Sequence, residues 1–204
     1  MKHELEYQPA IFPSIFPSAP NWQAYFGNDH PLELELGMGR SHFLFERAAS
    51  MPAHNIVGIE WKQRWVEQAN RKIVRESINN VCALHGNAWL LLPALFAPNT
   101  LSNIVLNFPD PWWKKKHQKR RIVNDVFVNI LASRLAPQGT LFLQTDVGPL
   151  FEEYTGRLKA HPDLKYDGPL LHNPMNAQSH REKKCESVGI PIYRALLTKE
   201  MATS

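Results

Sequence analysis

The chain has 204 residues, of which 44% are hydrophobic and 21% charged. That is enough apolar material for one large domain, which argues against two separate cores and excludes a largely disordered chain. The formal net charge is +4, but Lys114–Arg121 reads KKKHQKRR and holds six Lys/Arg without an acid, so the remainder is slightly acidic. One segment is basic, not the protein. Cys82 and Cys185 stand far apart and form no C-x-x-C pair, which supports neither a zinc ribbon nor a disulfide scaffold and points to a reducing cytoplasm. The N-terminus, with Glu4, Glu6 and early prolines, does not fit a signal peptide. No apolar run approaches the length of a membrane span, so no membrane partner is expected.

In chain order, residues 1–31 are proline-rich and repeat Ile-Phe-Pro-Ser at 11–14 and 15–18. Prolines at that density block a regular helix, so an extended arm lying on the domain is predicted, with the domain proper over 32–204. Leu32–Leu36 alternates apolar and acidic residues, Gly37-Met38-Gly39 breaks the alternation, and Ser41–Ala49 has helical spacing. The cycle of strand, turn and helix then recurs. Strands are predicted at Asn55–Ile59, Val81–Leu84, Ile104–Leu106 and Thr140–Gln144. The helices between and after them fall at Trp61–Ser77, Trp89–Leu95, Asp125–Ala136 and from Thr145-Asp146 to Ala160. In the first of these helices Trp61, Trp65, Ala69 and Ile73 recur every four residues, which reads mostly as a core face. Five alternations predict an α/β fold: a doubly wound, mostly parallel sheet with crossover helices. The last forty residues read as loop, a basic polar stretch and one antiparallel closing strand over Pro191–Thr198.

Ligands of doubly wound sheets bind at the carboxyl ends of the strands. The residues there are Glu35 with Gly37 and Gly39, Glu60 with Trp61, Asn87 with Ala88, Asn107 to Asp110, and Asp146. One acid in such a place is often only a helix cap; the recurrence along one edge points to a site. A dinucleotide fingerprint needs a third glycine where His42 stands, which disfavours a pyrophosphate and with it a nucleotide-dependent oxidoreductase. Glu60 follows Gly37 by 23 residues, the spacing of an acid that accepts from two ribose hydroxyls. A nucleoside cofactor without phosphates, such as S-adenosylmethionine, fits both features. Trp61 is placed to flank its adenine, and Met38 to pack in the core or touch the cofactor.

Asn107-Phe108-Pro109-Asp110-Pro111-Trp112-Trp113 runs directly into the basic segment. Two prolines around Asp110 restrict its backbone and aim its carboxylate, while rings beside cations suit nucleic acid by stacking on bases and pairing with phosphates. Lys114, His117, Lys119, Arg120 and Arg121 are the candidate phosphate contacts. The nine histidines form no H-E-x-x-H or similar cluster, and no metal is expected.

The stretch Phe108-Pro-Asp-Pro-Trp-x-Lys-x-x-His-x-Lys-Arg-Arg121, together with Glu35-x-Gly-x-Gly39 and Gly58-Ile-Glu60, closely resembles the bacterial tRNA (guanine-N7)-methyltransferase family, over roughly Trp22 to Thr198. The resemblance implies a Rossmann-like class I methyltransferase sheet, S-adenosylmethionine as methyl donor and a tRNA guanosine, in the variable loop, as acceptor. It implies that Glu35, Glu60, Asn87 and Asp110 surround the cofactor, that Asp110 is the active-site residue, and that Lys114 and Asp146 face the substrate. The family's late Thr-x-aromatic-Glu motif appears as Ser179-His180-Arg181-Glu182, which adds Ser179 and Glu182 as substrate residues. Here Arg181 replaces the aromatic, and Asn87 stands where many relatives have Asp. A noncatalytic RNA-binding adaptor with this fold is the alternative, and the presence of the glycine turn, Glu60 and Asp110 argues against it. Monomer and homodimer both remain open.

Overall fold

The structure is a computed structural model describing residues 19–201, except for the side chains of Lys115, Lys119 and Arg120. The Ile-Phe-Pro-Ser repeat at 11–18 lies outside the described residues. The strands are β1 (Leu32–Leu36), β2 (Asn55–Glu60), β3 (Val81–His85), β4 (Leu101–Asn107), β5 (Leu135–Thr145), β6 (Leu164–Pro169) and β7 (Tyr193–Lys199). The helices are α1 (Trp22–Phe26), α2 (His42–Ser50), α3 (Gln63–Arg75), α4 (Ala88–Leu95), α5 (Asp125–Arg134), α6 (Gly148–Lys159) and α7 (His180–Ser187), with a 3-10 segment at Lys115–Arg120.

All seven strands join one sheet in the order β3-β2-β1-β4-β5-β7-β6. The first five run parallel, and β7 pairs antiparallel with both β5 and β6. The order reverses between β1 and β4, so their carboxyl ends open the crevice in which doubly wound sheets bind ligands. Register brings Leu36 beside Leu106, Asn107 beside Gln144 and Glu60 beside His85.

Alternation in β1 would ordinarily leave one face in water, yet Glu33 and Glu35 are both buried because helices cover both faces of a parallel sheet. Glu33 is compensated by a fork from Arg47 of α2, Nε to Oε2 at 2.7 Å and Nη2 to Oε1 at 2.8 Å, with His54 Nδ1 at 2.7 Å from Oε1. The Arg47 Nη1 also donates to the Met175 carbonyl. One buried guanidinium therefore fastens α2 to β1 and to the loop before α7.

Several elements depart from the sequence expectation. Residues 22–26 form a short helix in the segment expected to be extended, because the run of prolines ends at Pro20; Asn21 caps its start and Gly27, at φ +73°, its end. Trp22 stacks on Phe96 at 5.2 Å and donates to the Leu95 carbonyl at 2.9 Å. The helix predicted from Trp61 begins at Gln63, so Trp61 precedes it and is 64% exposed. The buried face of α3 is Val66, Ala69 and Ile73. Strand β5 starts at Leu135, which pairs with Leu101 across an irregularity. A side chain at Gly139 would meet backbone oxygens of Ala136 and Leu101 within 3 Å, so the chain crosses there only as glycine. The tail holds an edge strand, β6, broken between Tyr166 and Pro169, where Gly and Pro obscured the strand pattern.

Arg47→Met should destabilise the fold by about 3 kcal/mol, because it leaves the Glu33 carboxylate buried without its main partner. Glu33→Leu/Arg47→Met should recover most of that loss. Urea denaturation of the two variants checks it.

Candidate active site

The crevice begins at the glycine turn. Gly37 and Gly39 take φ of +77° and +50°, a backbone that side chains disfavour, and the Gly37 and Met38 N–H groups donate to the Ile59 carbonyl at 2.8 and 3.3 Å. Glu60 locks the other side: Oε2 accepts from the Gly39 N–H at 2.9 Å and Oε1 from the Lys62 N–H at 2.8 Å. Each oxygen keeps a further lone pair for a ligand. Met38 is buried beneath the turn among Leu44, Ala48 and Ile56, so of its two expected roles the core one holds. Gly58 makes room for it, since a Cβ there would lie 2.6 Å from the Met38 Sδ.

Glu35 sits buried at the end of β1. Its Oε1 accepts from Asn107 Nδ2 at 2.9 Å, while Oε2 is buried without a hydrogen-bond partner among the described residues. Burial pushes its pKa up to about 8, opposed by the Asn107 hydrogen bond, reinforced by the Glu60 charge and opposed again by the nearby Leu44 N–H. Asn107 in turn accepts from Gln144 Nε2 at 2.8 Å, and Gln144 accepts from Arg194 Nε at 3.2 Å. The same Gln144 Nε2 donates to Glu182 at 2.9 Å.

The loop after β4 is strained and is held in place by back-side ties. Phe108 and Trp112 both take left-handed φ, +48° and +46°, conformations that cost on the order of 1–3 kcal/mol each and persist only where surroundings enforce them. The Phe108 N–H donates to the Gln144 carbonyl at 2.8 Å. Arg121 Nε donates to the Pro111 carbonyl at 2.9 Å, and its Nη1 pairs with Glu153 of α6. Trp112 meets His117 edge to face at 5.9 Å. Asp110 is carried at the exposed tip, followed by exposed Trp113, Lys114 and Lys116.

The expected site residues thus divide. Glu35, Gly37, Gly39, Glu60, Asn107 and Asp110 line adjacent carboxyl ends of β1, β2 and β4, with Trp61 exposed beside them and Asn87 and Ala88 at the end of β3. Asn87 caps α4, its Oδ1 accepting from Trp89 N at 3.0 Å. Lys114 is exposed, whereas the Lys119 and Arg120 side chains lie outside the described residues. Arg121 is mostly buried and braces the loop, whereas His117 is half-buried with its ring edge to face on Trp112. Asp146 pairs with Arg181. Ser179 and Glu182 form a capping box on α7, the Ser179 side chain accepting from the Glu182 N–H and Glu182 reaching back to the Ser179 N–H. Glu182 is fully buried. Its oxygens take hydrogen bonds from Gln144, Asn173 and Arg194 inside the protein. Sequence reasoning passed over that S-x-x-E helix signal, and it passed over Gln144 and Arg194, which only pairing of β5 with β7 brings to Glu182.

A family model described as "Putative methyltransferase" matches residues 29–195. A tRNA (guanine-N(7)-)-methyltransferase of Synechococcus sp. strain JA-3-3Ab is 39% identical over 183 residues, 88% of this chain and 78% of that one. The protein of that name from Myxococcus xanthus strain DK1622 is 32% identical over 186 residues, 88% of this chain and 89% of that one. Among solved structures, an antibiotic-related methyltransferase superposes with a TM-score of 0.64 at 16% identity, covering 88% of this chain and 92% of that one. The 16S rRNA methyltransferase KamB gives 0.64 at 12% identity, with 96% and 95% covered. These neighbours and the strand order assign the Rossmann-like class I methyltransferase fold. Identity of about a third or more over most of both chains goes further than fold: this chain belongs to the bacterial tRNA (guanine-N7)-methyltransferase family.

Proposed function

We propose that the protein methylates N7 of a guanosine in tRNA, the variable-loop guanosine of the family resemblance, with S-adenosylmethionine as donor. The observation that carries this reading is Asp110. Two prolines and two left-handed residues restrict the backbone around it in the loop after β4, the strand next to β1 and its glycine turn, and exposed cations follow it. S-adenosylmethionine, when bound, supplies a methyl carbon on a sulfonium, which a nitrogen lone pair attacks directly. The residues fit such a group: the glycine turn admits close backbone approach, Glu60 has lone pairs left for ribose hydroxyls, and Asn87, Ala88 and exposed Trp61 are the residues this reading assigns to the adenine. The buried Glu35 carboxylate suits the cationic end of the molecule.

Guanine N7 needs no deprotonation, so the protein has no strong base to supply. Its work is alignment and charge: the braced loop fixes the approach of the base, and the Asp110 carboxylate stabilises the positive charge that develops on the ring. The noncatalytic adaptor has no observation in its favour.

Incubation of the protein with labelled S-adenosylmethionine and unmodified tRNA, followed by nucleoside mapping, should yield N7-methylguanosine; label at another atom, or none, overturns the reading. Asp110→Asn should lower kcat at least ~100-fold while leaving the melting temperature within a degree or two, and a wild-type rate would remove Asp110 from the mechanism.

Glu35 gives a pH prediction. Its folded pKa of about 8 lies above the unfolded value, so the folded protein keeps a proton that the unfolded chain releases. The stability this contributes is complete below about pH 4.5 and is lost as pH rises toward 8, by as much as ~4 kcal/mol. Glu35→Gln, which retains an acceptor for Asn107, should flatten that part of the profile and exceed wild type in stability at pH 8. Urea denaturation at pH 5 and pH 8 reads the difference.

A further inference from the structure

A second group of cations lies on the β1 side of the crevice, away from Lys114–Arg121. Arg40 follows the glycine turn and is exposed, with its Nη1 3.3 Å from His180 Nε2 at the start of α7. The rings of His180 and His42 lie 5.3 Å apart between centroids. Trp65 of α3 carries two guanidinium groups on its ring, Arg64 at 4.5 Å and Arg40 at 5.4 Å from the centroid. Three separate segments thus bring cations and imidazoles to one surface.

Two acids nearby are already matched. Glu46 pairs with Lys183 and accepts from the Gln178 N–H, and Asp146 pairs with Arg181. Among the described residues no carboxylate lies within ion-pair range of Arg40, Arg64 or Lys184. The repulsion is felt locally: partial burial, Arg40, His42 and Lys184 together hold the His180 imidazole below its ordinary pKa. Uncompensated cations gathered at the mouth of a crevice raise the local concentration of anions there. The groups are exposed and come from three separate segments of the chain, a surface arrangement that suits the phosphates of a backbone.

We infer that Arg40, Arg64 and His180, with His42 beside them, form a second phosphate-binding surface for the RNA substrate. It rests on the reading of tRNA as substrate. Because β1 and β4 are adjacent, with Leu36 beside Leu106, the two cationic surfaces flank the crevice, one beyond the glycine turn and one beyond Asp110. An RNA strand that presents its guanine at Asp110 is held on both sides of the reacting base.

The test uses the full chain and unmodified tRNA, with affinity measured across a salt series for wild type and Arg40→Gln/Arg64→Gln. Removing one cation from a phosphate should reduce the slope of log affinity against log salt by about 0.7 to 0.9, and KM for tRNA should rise roughly tenfold while S-adenosylmethionine affinity stays within about twofold. His180→Gln supplies a separate readout. A phosphate favours the protonated ring against Arg40, His42 and Lys184, so wild-type affinity should rise from pH 8 to pH 6, and this rise should shrink in the variant. An unchanged salt slope in Arg40→Gln/Arg64→Gln, with wild type active on tRNA, overturns the surface alone. A wild-type protein that does not methylate tRNA overturns the functional reading instead, and the slope with a single-stranded RNA oligonucleotide then decides the surface: unchanged overturns it, reduced supports it.

Discussion

One hydrogen-bonded line through the sheet sets the geometry of everything at its carboxyl edge. Arg194 on β7 can only donate, so the two amides between it and Glu35 on β1 have a single consistent orientation. Arg194 Nε donates to the Gln144 oxygen, the Gln144 nitrogen to the Asn107 oxygen, and the Asn107 nitrogen to Glu35. Protonation of Glu35 leaves that order intact, because its second oxygen can carry the proton. Glu182 joins from the side and takes hydrogen bonds from Gln144, Asn173 and Arg194. Every member is buried or nearly so, and a polar network in that setting is favourable only when its members are satisfied together.

This line binds elements that the chain supplies far apart. It connects β1, β4, β5 and β7 across the sheet, and through Glu182 it fixes α7, whose first residues include His180 and Arg181. The Phe108 N–H meets the Gln144 carbonyl, so the strained entry to the Asp110 loop is tied to the same residue. The carboxyl end of β1 and the loop after β4 therefore share one scaffold. That arrangement suits a reaction whose rate depends on alignment, since small displacements of the approach are costly.

Charge follows the same plan. Glu33, Glu46, Glu153 and Asp146 are matched by arginine or lysine, whereas Glu35, Glu60 and Asp110 stand at or just beyond strand ends, where we propose that the methyl donor and the base are received. Of the basic segment, Arg121 turns inward to hold the loop and Lys114 and Lys116 stay outside. A small net charge of +4 thus conceals cations on both flanks of the crevice.

The alternation of short apolar runs with helical spacing was enough to reveal five parallel strands, and the glycine turn, Glu60 and the Pro-Asp-Pro loop were legible because each depends on near neighbours in sequence. The family motif lies in those same local stretches. Edge strand β6 and helix α7 were obscured, the first by Gly168 and Pro169 and the second by polar composition, although Ser179 and Glu182 carried a capping signal. The sequence by itself determined the fold class, the strand-end acids and the placement of Asp110 between prolines, since period, turn chemistry and proline restriction are local. Only the tertiary structure decided that Glu182 and Arg121 face inward, that Trp61 faces out, and that Arg40 meets His180. Those outcomes depend on pairing between β5 and β7 and on the packing of α2, α3 and α7, which joins residues up to 140 positions apart that no local pattern encodes.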